Sequence, residues 1–189
     1  MRRGFKALAE RNALAARQVL GLGANAPIDP WAYATHLGVI VLEFADLDLA
    51  PEAANQLTVV DEESWSAMTL QAEGGLAIVI NPAHATTRRR VDLMHELAHI
   101  ELKHAPSRVE VSKTGVLLLS DYSDEQEQEA DWHAGALLLP RESLVAMRAR
   151  NGTAAEIANH YGVSEALCEW RLRMTGVDVQ LARARTRRF

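Results

Sequence analysis

The strongest chemical signal in the sequence is a pair of histidines four positions apart, with a glutamate after the first, in His95-Glu96-Leu97-Ala98-His99. On a helix, residues four apart share a face with Cβ atoms about 6 Å apart, so both imidazoles are placed to bind one zinc ion. Zinc lowers the pKa of a bound water to about 7, and a neighbouring carboxylate accepts the proton and later passes it to a leaving amine. The spacing therefore predicts one Zn²⁺ per chain, with His95 and His99 as metal ligands and Glu96 as the catalytic base.

The motif alone is short, and it also fits a surface helix that happens to carry two histidines. The apolar residues that flank it favour the chemical interpretation. They are Val91, Met94, Leu97, Ala98 and Ile100. Together they predict a largely buried helix, in which two histidines and a glutamate need polar partners. A metal ion would supply such a partner.

A third protein ligand is needed, and His104 is the nearest candidate, five residues beyond His99. The metzincin pattern places its third histidine six residues on, after a glycine that turns the chain. Leu102 stands in the position of that glycine. We therefore interpret His104 as a histidine at the end of the helix, where the negative end of the helix dipole favours it.

The segment Glu127-Gln128-Glu129-Ala130-Asp131 offers better candidates. Glu127 and Asp131 lie four apart on one helix face. Glu127 is therefore predicted to be the third metal ligand, and Asp131 to accept a hydrogen bond from the second ring nitrogen of a ligand histidine. Glu129 is the rival ligand, but it points away from that face by roughly 160°. The acidic start of an ordinary solvated helix explains part of the same pattern, because the helix dipole favours carboxylates there.

Two helices and a small sheet must position these side chains. Helical spacing predicts one helix over residues 86–103 and a second that begins at Ser123, which forms a capping box with Gln126. Strand-like stretches precede them at residues 39–44, 57–60, 67–71 and 76–80. The last of these is the natural sheet edge for an extended substrate to bind as an added strand, and the alternative is an ordinary core strand with a covered edge. The order of helices, strands and helices predicts the α+β class, with a short mixed or antiparallel sheet packed on the motif helix.

The C-terminal part of the chain carries start and stop signals for two further helices. Thr153 and Glu156 form a second capping box, Gly162 ends that helix, and Ser164 is the N-cap of the next. This pattern resembles a helix-turn-helix, a motif that reads DNA. The alternative is a helical segment that packs on the catalytic part or grips the substrate.

Two features of these helices favour the alternative. His160 or Tyr161 would be able to reach the catalytic cleft and polarise a carbonyl oxygen. Glu165 and Glu169 lie on the early turns of the second helix, where they would oppose the phosphate backbone of DNA. We therefore expect residues 153–175 to serve a peptidase, although the Arg-rich end of residues 153–189 leaves DNA binding open.

Bulk composition sets outer limits on the function. With 189 residues, 48% of them hydrophobic, and a net charge of −5, the chain can bury a core and is not an obvious nucleic-acid binder. The single cysteine, Cys168, excludes an intrachain disulfide. The first residues lack the apolar stretch of a signal peptide, and no segment approaches the roughly 18 apolar residues of a membrane span. We expect a cytoplasmic protein with no membrane partner.

Together these motifs resemble the ImmA/IrrE family of metallopeptidases over about residues 3–175. The matching segments are Arg3-Gly4-Phe5-Lys6, Asp29-Pro30-Trp31-Ala32, His36-Leu37-Gly38-Val39, Asn81-Pro82, the motif at residues 95–99, Glu127 with Ala130-Asp131, and the apolar run ending at Leu139-Pro140. Family members occur in bacteria and phages, often beside genes for helix-turn-helix repressors. Several of them cleave such a repressor and so activate stress or mobile-element genes. The chain departs from the family at His133, which either lines the site or replaces a core aromatic residue.

The resemblance implies a zincin-like peptidase domain over residues 1–140 and a helical C-terminal subdomain over residues 141–189. It also implies His95, His99 and Glu127 as metal ligands and Glu96 as the general base. Asp131 would accept a hydrogen bond from a ligand histidine. The implied activity is zinc-dependent cleavage of a regulatory protein, a helix-turn-helix repressor encoded nearby. The alternative hypothesis is a DNA-binding or antitoxin-like protein whose metal site is structural or vestigial. Glu96 separates the two, because a structural site needs no carboxylate beside an open metal position.

Overall fold

The computed structural model of the chain describes residues 1–47, 49–72, 74–111 and 116–186. Within these residues, the chain forms helices and one mixed sheet. The predicted α+β class is confirmed. The chain divides into two compact units, one formed by Met1 and Asp29–Asp131, the other by Arg2–Ile28 and the residues from Trp132 onward. The domain boundary predicted at residue 140 concerns independent folding and stays a prediction.

The sheet belongs to the first unit. Its strands are β1 (Ile40–Leu42), β2 (Ala67–Ala72), β3 (Gly75–Ile80), β4 (Arg108–Val111) and β5 (Leu117–Ser120). Their order across the sheet is β1-β3-β2-β5-β4. The β1–β3 pair is parallel and the other pairs are antiparallel.

Of the two interpretations of residues 76–80, the sheet edge was wrong and the core strand is the one that the structure shows. β3 is an inner strand, because β1 pairs with it on one side and β2 on the other. Its last three residues are fully buried, in keeping with a continuous apolar run. Among the described strands, the edges are β1 and β4.

The strand predicted over residues 57–60 was also wrong. Helix α3 (Pro51–Asn55) starts with a proline at its first turn and continues into a π-helical turn, Gln56–Val60. The hydroxyl of Thr58 donates to the carbonyl of Ala54, as in a helix. Val59 and Val60 remain 67% and 64% exposed. Strand propensity reflects packing against neighbouring strands, and these valines have none to pack against.

Helix α4 (Thr86–Glu101) follows β3 in the chain and carries the histidine motif. One face of the helix is fully buried, through Leu93, Met94, Leu97 and Ala98. Helix α5 (Asp124–Leu138) begins where the sequence predicted. The Ser123 amide donates to the side chain of Gln126 at 3.0 Å, which is half of the expected capping box. The Gln126 amide donates back to Ser123 Oγ at 3.4 Å.

The second unit is helical in its described residues. Its helices, besides the end of α5, are α1 (Phe5–Val19), α6 (Arg141–Ala149), α7 (Ala154–Tyr161), α8 (Glu165–Thr175) and α9 (Val177–Thr186). The capping box of Thr153 and Glu156 is present, Gly162 adopts a left-handed conformation, and Ser164 caps α8. Helix α2 (Pro30–His36) belongs to the first unit, as do the short 3₁₀ helices Phe44–Asp46 and Glu62–Ser64. None of the helices described here has the length and apolar character needed to cross a membrane.

Candidate metal centre

Three predicted ligand side chains converge on one point in the first unit. His95 and His99 lie one turn apart on α4, with their Nε2 atoms 3.0 Å from each other. An oxygen of Glu127, at the start of α5, lies 3.1 Å from His95 Nε2 and 3.7 Å from His99 Nε2. Ligand atoms bound tetrahedrally to zinc at 2.0–2.2 Å lie roughly 3.3–3.6 Å apart. The spacing and chemistry of this donor set therefore fit a zinc ion.

Asp131 contacts the far side of the first histidine. Its Oδ1 lies 3.0 Å from His95 Nδ1. A carboxylate in this position holds the proton on Nδ1 and leaves Nε2 free to bind a metal. The structure therefore places Asp131 where the sequence suggested, one helical turn beyond Glu127.

The second histidine has a neighbour of its own that the sequence did not reveal. His104 Nδ1 lies 3.1 Å from His99 Nδ1, on the side of the ring opposite the donor set. Glu129 is buried, and its Oε2 lies 3.7 Å from His104 Nε2. His104 and Glu129, the two rival third ligands, therefore sit behind His99 rather than among the converging atoms.

Glu96 lies next to the donor set and is held by a threonine. The hydroxyl of Thr69, on β2, donates to Glu96 Oε2 at 2.5 Å. Burial raises the pKa of Glu96, and the hydrogen bond from Thr69 acts in the opposite direction. Thr69 is itself fully buried. A threonine between Met68 and Leu70 in a predicted strand was the available sequence signal for this contact, and the sequence analysis missed it.

The two histidines have opposite electrostatic surroundings in the metal-free site. Burial alone would lower the pKa of His95, but its hydrogen bonds with Asp131 and Glu127 raise that pKa to about 10. Burial and the neighbouring charge of His95 lower the pKa of His99 to about 4. The hydrogen bond from His95 lowers the pKa of Glu127. A metal ion must therefore displace a proton from His95, and binding is expected to weaken in acid.

Tyr122 lies beside the second histidine of the motif. Its ring stacks on His99 with centroids 3.7 Å apart and an angle of 27° between the planes. Burial, together with the charges of Glu96 and Glu127, raises the pKa of Tyr122 to about 12, so its hydroxyl stays protonated at neutral pH.

The sequence had instead offered His160 and Tyr161 for a role in the cleft. In the structure the Tyr161 hydroxyl donates to the carbonyl of Asn25 at 2.9 Å, within the second unit. A ring nitrogen of His160 lies 3.4 Å from the same carbonyl. His133, the other open assignment, is completely buried, as a residue in place of a core aromatic would be.

Comparison with known families identifies the chain. The family model described as the IrrE N-terminal-like domain, a peptidase family, matches residues 58–173, more than half of the sequence. The chain belongs to this family. Membership confirms the resemblance seen in the sequence and makes the chain a metallopeptidase. The match covers the residues that meet at the site, from Thr69 to Asp131. No curated protein is similar enough to the chain to match it.

Proposed function

We propose that the chain is a zinc-dependent endopeptidase, with His95, His99 and Glu127 as metal ligands and Glu96 as the general base. The observation that carries this proposal is the convergence of the three donor groups, whose ligand atoms lie within 4.8 Å of one another. The side chain of Glu127 is 43% exposed, so a substrate can approach from that side. The half-buried Glu96 beside the three donor groups favours a catalytic centre over a purely structural one, because a structural site needs no such carboxylate.

Each protein group has a distinct part in peptide hydrolysis. Bound zinc supplies a Lewis acid that lowers the pKa of water to about 7. Glu96 accepts a proton from the water that attacks the scissile carbonyl carbon, and later donates it to the amine that leaves as the C–N bond breaks. Thr69 fixes the orientation of Glu96 through the hydrogen bond to Oε2. Asp131 keeps His95 in the tautomer that binds metal.

For the substrate we propose a regulatory protein, namely a helix-turn-helix repressor encoded near this protein in a bacterial or phage genome. The support is the resemblance to ImmA/IrrE peptidases, several of which cleave such repressors. Cleavage in the cytoplasm, as part of a stress or mobile-element response, follows from the same resemblance.

We further propose that α7 and α8 support the fold rather than read DNA. Arg171, on α8, is completely buried, and its guanidinium donates to the carbonyl of Leu139 and to Glu10. An arginine engaged in this way is not available to DNA. A shift assay at physiological salt with DNA from the protein's own locus tests this. Specific binding that is lost on deleting residues 153–189, with peptidase activity retained, would favour the DNA-binding alternative.

The metal site is tested by elemental analysis of protein purified without chelator. We expect about one zinc per chain in the wild type and a large loss in His99→Ala. Equal metal content in the two proteins would contradict the assigned site. The activity is tested by incubating the zinc-loaded protein with the neighbouring repressor and locating new termini by mass spectrometry. An intact repressor would leave the metal site standing and remove the proposed substrate.

A further inference from the structure

A cavity of about 500 Å³ opens beside the metal centre in the first unit. One wall is the C-terminal end of α4, with His99 and Ile100, together with Lys103 just after the helix. The opposite wall is one face of the sheet. The cavity is of the size that ligand-binding pockets usually have.

Strand register explains why the sheet wall is mainly aliphatic. Thr69 of β2 is the register partner of Leu119 on β5, and Leu119 is the partner of Val109 on β4. Partners across neighbouring strands point to the same face of a sheet. Two residues further along, Gln71 is the partner of Leu117 on that same face. All five side chains line the cavity.

Two of the lining residues connect the cavity to the reacting groups. His99 presents Nε2 to the donor set, so the cavity begins about one imidazole ring away from the metal position. Thr69 donates directly to Glu96. Consecutive residues of an extended peptide are spaced about 3.3–3.6 Å apart. Because His99 and Thr69 line the cavity, a side chain that enters it would belong to a residue next to the bond that Glu96 acts on.

We propose that this cavity binds a large aliphatic or aromatic side chain of the substrate, on a residue adjacent to the scissile bond. The inference rests on the proposed peptidase function, and it adds the class of side chain that the enzyme selects. Leu117, Leu119 and Val109 provide the apolar surface, and Leu119 lies at the centre of the row. Small or acidic side chains bury little apolar area there, so they bind less well.

The first experiment uses two hydroxamates that differ in one side chain, isobutyl in one and methyl in the other. The hydroxamate group binds zinc whether or not the enzyme turns over. Calorimetry on zinc-loaded protein should show the isobutyl compound binding at least about tenfold more tightly, since each buried methylene contributes about fourfold in affinity. Equal affinities would overturn the proposal.

Matched variants locate the effect. Leu119→Trp fills the cavity and should remove the preference for isobutyl. Leu118→Trp is the control, because Leu118 pairs with Leu70 and Glu110 and so points to the other face of the sheet. Val109 is 48% exposed on an edge strand, so Val109→Trp should fold even if Leu119→Trp does not. Retention of the full isobutyl preference in Val109→Trp and Leu119→Trp would contradict the assignment.

A second measurement needs neither zinc nor turnover, so it separates this inference from the proposed function. Methyl NMR spectra of metal-free protein are recorded during titration with N-acetyl-leucinamide or N-acetyl-alaninamide. The leucine compound should shift the methyl resonances of Leu117, Leu119 and Val109 several times more than the alanine compound does. Shifts confined to other methyl groups, or no shift at tens of millimolar ligand, would overturn the proposal even if zinc binding and cleavage are found.

Discussion

Arg17, in the helical unit, and His95 and His99, in the unit with the sheet, are polar side chains held inside the protein in different ways. All three guanidinium nitrogens of Arg17 donate to backbone carbonyls, those of Ala26, Ala13 and Leu137, at 3.1, 3.0 and 2.7 Å. Burial lowers the pKa of Arg17 to about 10, so it still carries its charge at neutral pH. Around the histidines, by contrast, three ligand atoms face one another within 4.8 Å.

Arg17 and the histidine site differ in whether their polar atoms already have partners within the protein. The hydrogen bonds of Arg17 all end on main-chain carbonyls of the protein itself, so the arrangement is complete without a ligand. The donor set of His95, His99 and Glu127 turns several lone pairs toward one point, and such an arrangement gains most from a cation placed there. The direction in which buried polar atoms point therefore says more about whether they bind a ligand than their burial does.

The largest effect is expected from Glu96→Gln. The change removes the proton acceptor with little change in volume, so peptide cleavage should fall by about a thousandfold or more. Zinc content and thermal unfolding should match the wild type, because Glu96 is not one of the three converging donors. Near-wild-type cleavage by this variant would show that Glu96 is not the base.

The next effect concerns the choice of third ligand. Glu127→Ala should weaken zinc binding by more than about a hundredfold, since partners that only orient a ligand typically contribute 10–100-fold. Glu129→Ala serves as the matched control on the same helix. It should weaken zinc binding less, because Glu129 contacts His104 instead of the donor set. A competitive zinc titration measures both. The reverse order would move the third ligand to Glu129.

Arg17→Met tests the structural side of the comparison. The variant removes the three hydrogen bonds that a fully buried side chain donates to main-chain carbonyls, so the free energy of unfolding should fall by about 3 kcal/mol. Arg11→Met, an exposed position on α1, should change it by less than about 0.5 kcal/mol. Denaturant unfolding measures both. A similar small change in the two variants would mean that the buried guanidinium contributes little to stability.

The smallest effect is expected from the hydrogen bond that orients Glu96. Thr69→Val keeps the shape of the side chain and removes the hydroxyl, so kcat should fall by about tenfold, an effect equal to one ordinary hydrogen bond to a charged group. KM and zinc content should stay unchanged, and Thr69→Ser should restore most of the activity. If the serine variant is as slow as the valine variant, packing at this position matters rather than the hydroxyl.

Local patterns in the sequence were sufficient for the α+β class, for both site helices, and for the caps of α5 at Ser123 and of α7 at Thr153. These features depend on residues only three or four positions apart, so periodicity and capping chemistry reveal them. The same local rule brought His95, His99 and Glu96 into one candidate site, and it suggested Glu127 with Asp131. Propensity failed at residues 57–60, where valines that suit a strand had no strand beside them.

Residues distant in sequence came together only in the tertiary structure. Thr69 lies 27 residues before Glu96, and sheet register alone placed its hydroxyl on the carboxylate. Tyr122 and His104 reached His99 from two loops whose course no periodic pattern encodes. The inner position of β3 and the aliphatic wall of the cavity likewise depend on which strands pair. The sequence by itself determined the chemistry of each helix face, whereas the packing of strands and loops decided which side chains share a site, because such contacts depend on long-range pairing and not on local spacing.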